Sequence, residues 1–463
     1  MKVSRREFLR RSGCGMLSAA TIAAGIDRFG LVSAMAEGGG YRALVCIFLA
    51  GGNDGNNMVV PLDSEGYSRY ANVRSSAGLA IAQASLLPIT PASLGINFGL
   101  HPSLSAIHPL FQAGHLAVVC NVGPLISPVS RSDYLAGAPR PYQLFSHSDQ
   151  IAQWQTSIST GPAATGWGGR IADSFGVPPT GSPMMTATAG GVFTRGLITS
   201  TLTVAPAPAA LNQLLVLNGF GTTAAETTRR AAMDYLRTID RDSLLVRAAQ
   251  DVTQQALDIS TSFTSDPTLD TVFPNTSLGN QLKQVAKLLK FNRTVSSSPL
   301  QRQIFFCSLG GFDTHQGQVA TQANLLTQVA QAMKAFYDAT VELNIASDVT
   351  TFTLSDFGRT FQPAGQAGNV GSDHAWGNHH LVMGGSVRGG DFYGVRGLNG
   401  TVFPTLELSG PDDTDTRGRW IPTAAVDQYA ATLANWFGVS SPALDTIFPQ
   451  LRNFSPADLG FLR

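Results

Sequence analysis

The sequence predicts an α/β fold with a mainly parallel central sheet covered by helices, and three observations carry this prediction. First, five short runs are apolar on both faces, which is typical of strands buried on both sides of a sheet. Second, segments with helical periodicity lie between these runs. Third, strand and helix alternate along the chain, as in parallel strands that are joined by crossover helices.

The predicted elements follow one another along most of the chain. The strands are residues 43–50, 116–122, 303–309, 349–354 and 380–383. The helices are residues 104–112, a helix beginning near 150–156, then 223–263, 278–291, 318–343 and 424–437. The stretch 177–221 is rich in Pro, Thr, Ala and Gly, and we interpret it as an insertion packed over the sheet, where a short hairpin would fit, and not as a separate domain.

The N-terminus carries the pattern of a twin-arginine export signal. Residues 4–9 read SRREFL, an uncharged apolar stretch spans 13–26, and the small-residue sequence SAMA at 33–36 is typical of a cleavage site. A membrane anchor is the alternative, but a spanning helix needs roughly 20 apolar residues and Asp27 and Arg28 end this run early. We therefore expect a signal peptide at 1–36, a mature domain at 37–463, passage through the twin-arginine translocase, and a periplasmic or secreted protein without a stable membrane span.

Composition narrows the class of protein further. The net charge is zero and only 13% of the residues are charged, and no basic run follows the signal, so we expect no nucleic-acid partner. Three cysteines remain after residue 36, namely Cys46, Cys120 and Cys307. Because each lies in an apolar run, we interpret them as buried core residues, and an odd number cannot form a closed set of disulfides.

Polar residues collect just after the predicted strands, where parallel sheets bind ligands. The loops are 51–57 (GGNDGNN), 310–315 (GGFDTH), 355–359 (SDFGR) and 371–380 (GSDHAWGNHH). Each loop alone also fits an ordinary turn. Together they gather carboxylates and imidazoles, which are ligands of divalent metals such as Zn, Mn, Mg or Ca.

Six ordered motifs resemble the signature loops of the DUF1501 family, whose members are exported bacterial proteins that commonly carry twin-arginine signals. They are residues 51–55, 146–150 (SHSDQ), 166–170 (GWGGR), 310–315, 355–359 and 371–374, and the resemblance spans about 41–440. The family is in turn similar to the alkaline phosphatase and sulfatase superfamily. That similarity implies an α/β/α sandwich with a metal-centred site for small anionic esters.

The resemblance also implies roles for individual residues. The implied metal ligands are Asp54, Asp313, His315, Asp356 and His374, with Asp373 as a possible substitute ligand. Ser146 matches the nucleophile at the start of a helix, whose N-terminus would stabilise an oxyanion. Arg359 is open to two interpretations, because it could hold an anionic oxygen by a bidentate contact or form a structural salt bridge with a nearby carboxylate.

The sequence departs from the superfamily pattern at two places. Phe357 stands where phosphatases carry His and sulfatases often carry Asn, which puts one metal position in doubt, and no Cys-x-Pro-x-Arg sequence is present. Attack by Ser146 or by a metal-bound water therefore both stay open. The favoured interpretation is an exported metal-dependent hydrolase of phosphate or sulfate esters. The alternatives are a non-catalytic metal-binding envelope protein and a phosphomutase-like transferase.

Overall fold

A computed structural model of the protein describes residues 40–463 apart from 177–183, 214–218, 244, 248, 251–252, 255–262, 297–298 and 367. The expected signal peptide at 1–36 lies outside the described residues, as do parts of the 177–221 stretch. Within the described part of the chain, no helix has both the length and the apolar character needed to cross a membrane.

Fourteen strands and eleven α-helices have their bounds within the described residues, and residues 245–247, 249–250 and 253–254 are helical as well. The strands are β1 Arg42–Leu49, β2 Val59–Pro61, β3 Leu87–Ile89, β4 Phe98–Leu100, β5 Leu116–Gly123, β6 Met185–Ala187, β7 Thr201–Thr203, β8 Arg302–Leu309, β9 Val349–Ser355, β10 Ala364–Gln366, β11 Asn369–Gly371, β12 Asn378–Met383, β13 Phe392–Tyr393 and β14 Ala424–Ala425. The helices are α1 Gly55–Met58, α2 Ser64–Arg74, α3 His108–Gln112, α4 Arg131–Leu135, α5 His147–Thr156, α6 Trp167–Ser174, α7 Ala224–Leu236, α8 Ser277–Thr294, α9 Gln318–Glu342, α10 Val426–Phe437 and α11 Ser441–Ile447.

The central sheet has nine strands in the order β13-β5-β12-β9-β1-β8-β6-β7, with β14 also beside β5. Strand β1 pairs in parallel with β8 on one side and with β9 on the other. Two smaller antiparallel sheets, β2-β4-β3 and β10-β11, lie outside it. The predicted fold class, a mainly parallel α/β sheet with helices, is confirmed, and all five predicted strands are present.

Strand β12 is the exception, because it pairs antiparallel with both β5 and β9. Its reversal has a direct consequence for the site. The residues that precede β12 lie at the same edge of the sheet as the residues that follow β1, β8 and β9. The loop 371–377 therefore lies at the carboxyl edge of the parallel strands although it precedes its strand. The loops after β1, β8 and β9 lie at the same edge because they follow theirs.

Helices cover both faces of the sheet, which completes the expected α/β/α layering. Along β1, Val45 and Ile47 pack into one hydrophobic core and Cys46 and Phe48 into the other, so successive side chains serve opposite faces. Helices α8 and α9 contribute to the first core, and α6, α10 and α11 to the second. All three cysteines are buried and free, as the sequence predicts.

Two regions differ from the sequence-based expectation. The stretch 177–221 does not simply cover the sheet: its strands β6 and β7 extend the sheet beyond β8, and they are parallel, so they form no hairpin. The single long helix expected at 223–263 is interrupted: α7 ends at Leu236, turns follow it, with Asp240 at a positive φ of 55°, and residues 245–247, 249–250 and 253–254 are helical again. A residue in the left-handed region interrupts a helix, although the apolar periodicity continues past it.

Candidate metal centre

Four segments meet at the carboxyl edge of the sheet. Asp313 and His315 follow β8, Asp356 follows β9, His374 precedes β12, and His147 is the first residue of α5. The loop after β1 packs so closely on the loop after β8 that a Cβ at Gly51, whose φ is +118°, would lie 2.3 Å from the Asp313 backbone nitrogen. Only glycine meets both demands, which explains the glycine pair after β1.

Three imidazole nitrogens and one carboxylate oxygen converge there. The Asp313 Oδ1 atom lies 3.0 Å from Nε2 of His315, 3.5 Å from Nε2 of His147 and 3.6 Å from Nε2 of His374. The Nε2 atoms of His315 and His374 are 3.0 Å apart. In the described residues, His147, Asp313 and His374 form a group whose ligand atoms all lie within 4.8 Å of one another.

The other ring nitrogen of each histidine is bound to an oxygen acceptor. His147 Nδ1 donates to Asp356 Oδ2 at 2.7 Å, His315 Nδ1 donates to Asp373 Oδ1 at 3.0 Å, and His374 Nδ1 donates to the Phe145 carbonyl at 2.8 Å. These contacts place the proton on Nδ1 and leave the Nε2 lone pair facing the centre, as in metal-binding histidines.

The donor set fits a divalent metal ion. Two ligands held tetrahedrally at about 2.0–2.1 Å from one ion are about 3.3 Å apart, and the contacts to Asp313 Oδ1 range from 3.0 to 3.6 Å. The buried Nε2 atom of His147 has no hydrogen-bond partner. The Nε2 lone pairs of His315 and His374 face each other, an arrangement that a cation between them stabilises.

The charge states of the surrounding groups also suit a cation. Partial burial acts to raise the pKa of Asp313, but the Arg359 guanidinium outweighs it and holds that pKa below its usual value. Asp373 behaves in the same way beside Arg417 and His315. Burial lowers the pKa of His374, with the Arg359 charge acting in the same direction, so its imidazole stays neutral at neutral pH. Ionised carboxylates and neutral imidazoles are the protonation states in which these groups bind metals.

Asp356 and Asp373 contact the histidines rather than the point of convergence. Asp356 is buried, accepts from the Gly51 backbone N–H at 2.9 Å, and holds His147. Burial raises its pKa, although the His147 hydrogen bond opposes the shift. Asp373 lies between His315 and Arg417, whose Nη1 is 2.7 Å from Asp373 Oδ2. Both aspartates thus orient imidazoles, whereas the sequence analysis expected them to be ligands.

Asp54 also occupies a different position from the one expected of a ligand. Its carboxylate is fully buried and forms an ion pair with the equally buried Arg74, with Nη1 2.5 Å from Oδ2. Side-chain amides of Asn56 and Gln318 and the backbone N–H of Asn56 donate to the same carboxylate. The structure does not bring Asp54 into the group around Asp313, because cationic and amide donors within the protein already surround it.

The guanidinium of Arg359 binds other groups of the protein. Its side chain is fully buried, and Nη2 lies 2.5 Å from Asp313 Oδ1. Nε donates to the Gly52 carbonyl at 2.9 Å and Nη1 to the Ser372 carbonyl at 3.0 Å, while Nη2 also contacts the carbonyls of Phe312, at 3.1 Å, and Gly51. Of the two interpretations left open by the sequence, this geometry corresponds to the structural salt bridge, since no edge of the guanidinium faces solvent.

Ser146 lies at the N-cap of α5, as the sequence predicts, directly before His147. Its hydroxyl donates to Asp149 Oδ2 at 2.5 Å and makes no side-chain cap hydrogen bond. The ring of Phe357 lies beside the site, with ring centroids 4.7 Å from His147 and 4.5 Å from His374. An apolar ring therefore packs against two of the converging imidazoles.

His147 belongs to the SHSDQ motif, which the resemblance assigns to the site, but no ligand role is predicted for it from the sequence. It is the first residue of a helix, whereas the predicted metal ligands lie in loops after strands. The available signal was its place next to Ser146 in a motif already assigned to the site. A helix that begins at the carboxyl edge presents its first residue to the same centre as the strand-end loops.

The fold and the site together define an α/β protein with a histidine-rich candidate metal centre at the carboxyl edge of its sheet. The chain belongs to the DUF1501 family: the sequence model of that family, described as a protein of unknown function, matches residues 41–401. No curated protein matches the sequence significantly.

The chain is also similar to several solved structures. The C-terminal periplasmic domain of EcEptC from Escherichia coli, in complex with Zn, is 10% identical over 75% of this chain and 74% of that chain, with a TM-score of 0.30. A 2-O GAG sulfatase is 9% identical over 89% and 75%, with a TM-score of 0.30. Alkaline phosphatase from Thermus thermophilus is 10% identical over 70% and 61%, with a TM-score of 0.26. At such TM-scores, none of these similarities bears on the chemistry of the site.

Proposed function

We propose that the protein is an exported metal-dependent hydrolase of phosphate or sulfate esters. One observation carries the proposal, namely the convergence of Nε2 of His147, His315 and His374 on Asp313 Oδ1 at 3.0–3.6 Å. These four residues would hold the ion. Three nitrogen donors with one carboxylate favour Zn or Mn over Mg or Ca, which prefer all-oxygen surroundings.

The residues around the metal site have separate roles. A divalent ion bound there would supply Lewis-acid polarisation of an ester oxygen. Asp356 and Asp373 keep the Nδ1 protons of His147 and His315 and fix the ring orientations. The Asp313 side chain is 48% exposed, which leaves a small anionic ester access from solvent. Ser146, next to His147, is the proposed nucleophile, and its hydroxyl attacks the phosphorus or sulfur atom.

Metal content is the first test. We expect about one equivalent of Zn or Mn in the folded, exported protein, measured by elemental analysis after dialysis. His147→Ala should lose the metal, because it removes one of the four donors. His108→Ala serves as the matched control, since it removes a histidine whose Nε2 contacts the Pro88 carbonyl, away from this group. Equal metal content in both variants would contradict the proposed ligand set.

Ester hydrolysis is the second test. The metal-loaded protein is assayed against phosphate monoesters, phosphate diesters and sulfate esters, before and after removal of the metal with a chelator. We expect turnover of at least one ester class, loss of turnover with the metal, and recovery when the metal is restored. Turnover that survives complete metal removal would exclude a metal-dependent mechanism.

Export is part of the same proposal and has its own test. If residues 1–36 direct transport through the twin-arginine translocase, replacing both Arg5 and Arg6 with Lys should leave the precursor in the cytoplasm. Cell fractionation with an antibody against the mature domain measures this directly. Normal accumulation of the double variant outside the cytoplasm would remove the support for this route.

A second candidate function is metal binding without catalysis, and specific contacts favour it. Phe357 packs an apolar ring against two imidazoles. The guanidinium of Arg359 and the carboxylate of Asp54 each form an ion pair within the protein, which leaves neither group to bind a substrate or a metal. A protein that retains one equivalent of metal but turns over no ester in the panel would support this candidate.

A further inference from the structure

Three helices in the described part of the chain begin with the pattern Ser or Thr, two residues, then Asp or Glu. They are α4 with Ser130 and Asp133, α7 with Thr223 and Glu226, and α5 with Ser146 and Asp149. The first two are reciprocal capping boxes: each hydroxyl accepts from the backbone N–H three residues on, and each carboxylate accepts from the N-cap backbone N–H.

The N-terminus of α5 differs from the other two. Ser146 makes no side-chain cap hydrogen bond. Its backbone N–H donates to the Gln143 carbonyl at 3.3 Å instead of to the Asp149 carboxylate. What remains of the capping arrangement is the contact from Ser146 Oγ to Asp149 Oδ2, at 2.5 Å. The hydroxyl is thus bound to a carboxylate while free of the backbone bond that occupies its counterparts.

The position of Ser146 sets it apart from the other two N-caps. The residue before it, Phe145, accepts a hydrogen bond from His374 Nδ1 through its carbonyl. The residue after it, His147, points Nε2 towards Asp313. One chain neighbour of Ser146 therefore contacts a histidine of the candidate metal centre, and the other belongs to that centre.

We propose that Asp149 is the general base that activates Ser146. The assignment rests on the proposed function, since it places the reacting hydroxyl beside the proposed metal centre. In the first step the Oγ–P or Oγ–S bond forms, the bond to the ester oxygen breaks with its electron pair leaving on the alcohol, and the Oγ proton passes to Asp149 Oδ2. The departing alkoxide takes a proton from solvent. Water then attacks the phosphorus or sulfur atom and releases one proton to solvent, the bond to Oγ breaks with its electron pair on Oγ, and Asp149 returns its proton to Ser146 Oγ.

An electrophilic probe tests this assignment without a known substrate. A fluorophosphonate reacts with an activated serine so that the Oγ–P bond forms, fluoride leaves and the Oγ proton is taken up by the base. The rate of labelling of the metal-loaded full chain is measured by mass spectrometry, which also distinguishes Ser146 from Ser148, whose hydroxyl is 3.2 Å away. We expect Ser146 to be labelled and Ser146→Ala to remain unlabelled.

Removal of the carboxylate is the decisive change. Asp149→Asn should slow labelling by about 100-fold, the lower end of what general-base catalysis contributes, and Asp149→Ala should match it. Asp149→Glu should restore part of the rate. Asp133→Asn in the capping box of α4 is the matched control, and it should label at the wild-type rate although it loses a cap.

The outcomes separate this inference from the proposed function. Labelling at Ser146 that depends on Asp149 supports the inference, even if no ester is turned over and the hydrolase proposal fails. Absence of label on Ser146, or equal labelling of wild type and both Asp149 variants with unchanged metal content and melting temperature, overturns it. If one Asp149 variant is unfolded, the other decides.

Discussion

Two aspartates follow neighbouring parallel strands at the same edge of the sheet, and their surroundings are opposite. Asp54 follows β1 and Asp313 follows β8, and each lies 2.5 Å from the guanidinium of a fully buried arginine, Arg74 or Arg359. The Asp54 carboxylate is fully buried, whereas the Asp313 side chain is 48% exposed and faces three imidazoles. Position after a strand therefore does not decide the role of an aspartate.

The arginines explain the difference. Arg74 comes from the last residue of α2, and it also donates to Asn57 Oδ1 and to the Thr360 and Phe361 carbonyls. Arg74 is as fully buried as Asp54, and its positive charge balances the negative charge of the Asp54 carboxylate. Arg359 is held by backbone carbonyls of the loops and contacts Asp313 Oδ1, the same oxygen that the three histidines approach. Arg359 therefore does not exclude the histidines from Asp313.

The largest expected effect is on the closed pair. Asp54→Asn leaves the Arg74 guanidinium buried without an ionised partner, and breaking a buried pair in this way costs about 3–5 kcal/mol. We expect that loss in the free energy of unfolding, measured by denaturant titration of the metal-free protein. The control is Glu65→Gln, which breaks the exposed pair with Arg69 and should cost less than about 1 kcal/mol. Similar costs for the two variants would refute the closed-pair assignment.

The open aspartate should show the reverse behaviour. Asp313→Asn removes a charged donor from the candidate metal centre, and we expect metal affinity to fall by more than about 100-fold, or roughly 2.7 kcal/mol. The free energy of unfolding of the metal-free protein should fall less than it does in Asp54→Asn, because solvent already screens the half-exposed Asp313 carboxylate, although the buried Arg359 guanidinium also loses its ionised partner. Isothermal titration with Zn measures the affinity. A variant that binds Zn as tightly as wild type would end the comparison with Asp54.

The sequence predicted much of this region, for identifiable reasons. Burial on both faces makes strands such as β1 and β8 continuously apolar, and glycines such as Gly51 mark close approach, so the strand-end loops could be located. The partner of Asp54 could not be predicted, because Arg74 lies at the end of a helix in a separate layer. His147 was missed since it begins a helix, and His374 reaches the site only because β12 runs against its neighbours, which single-sequence periodicity does not report.

The aspartates that orient the histidines should give smaller effects on metal binding. Asp356→Asn and Asp373→Asn each weaken the hold on one imidazole, and such changes cost about 10- to 100-fold in metal affinity. We expect the larger loss for Asp356→Asn, because Asp356 is buried whereas Asp373 is partly exposed and also pairs with Arg417. Titration with Zn ranks the two. The ranking is contradicted if Asp373→Asn proves the weaker binder.

The smallest effect tests what burial does to an aspartate in the helical layer. Asp427 is fully buried in the first turn of α10, and burial raises its pKa to about 7, although the Ser157 hydroxyl and the Arg170 charge oppose the shift. Since the folded-state pKa exceeds the unfolded value, the folded state binds more protons between about pH 4 and 7, and wild-type stability should fall as the pH rises through that range.

Asp427→Asn removes this ionisation, in contrast to Asp54→Asn, which removes a paired charge. We expect Asp427→Asn to be more stable than wild type by on the order of 1 kcal/mol at pH 8, and to show a smaller advantage or none at pH 5, where the wild-type carboxyl is protonated. Denaturant unfolding at the two pH values, with Asp54→Asn measured in parallel, decides the matter. A stability difference that does not depend on pH would mean that Asp427 does not change its protonation state between pH 5 and 8. The Arg170 charge would then compensate the burial of the Asp427 carboxylate as fully as Arg74 compensates that of Asp54.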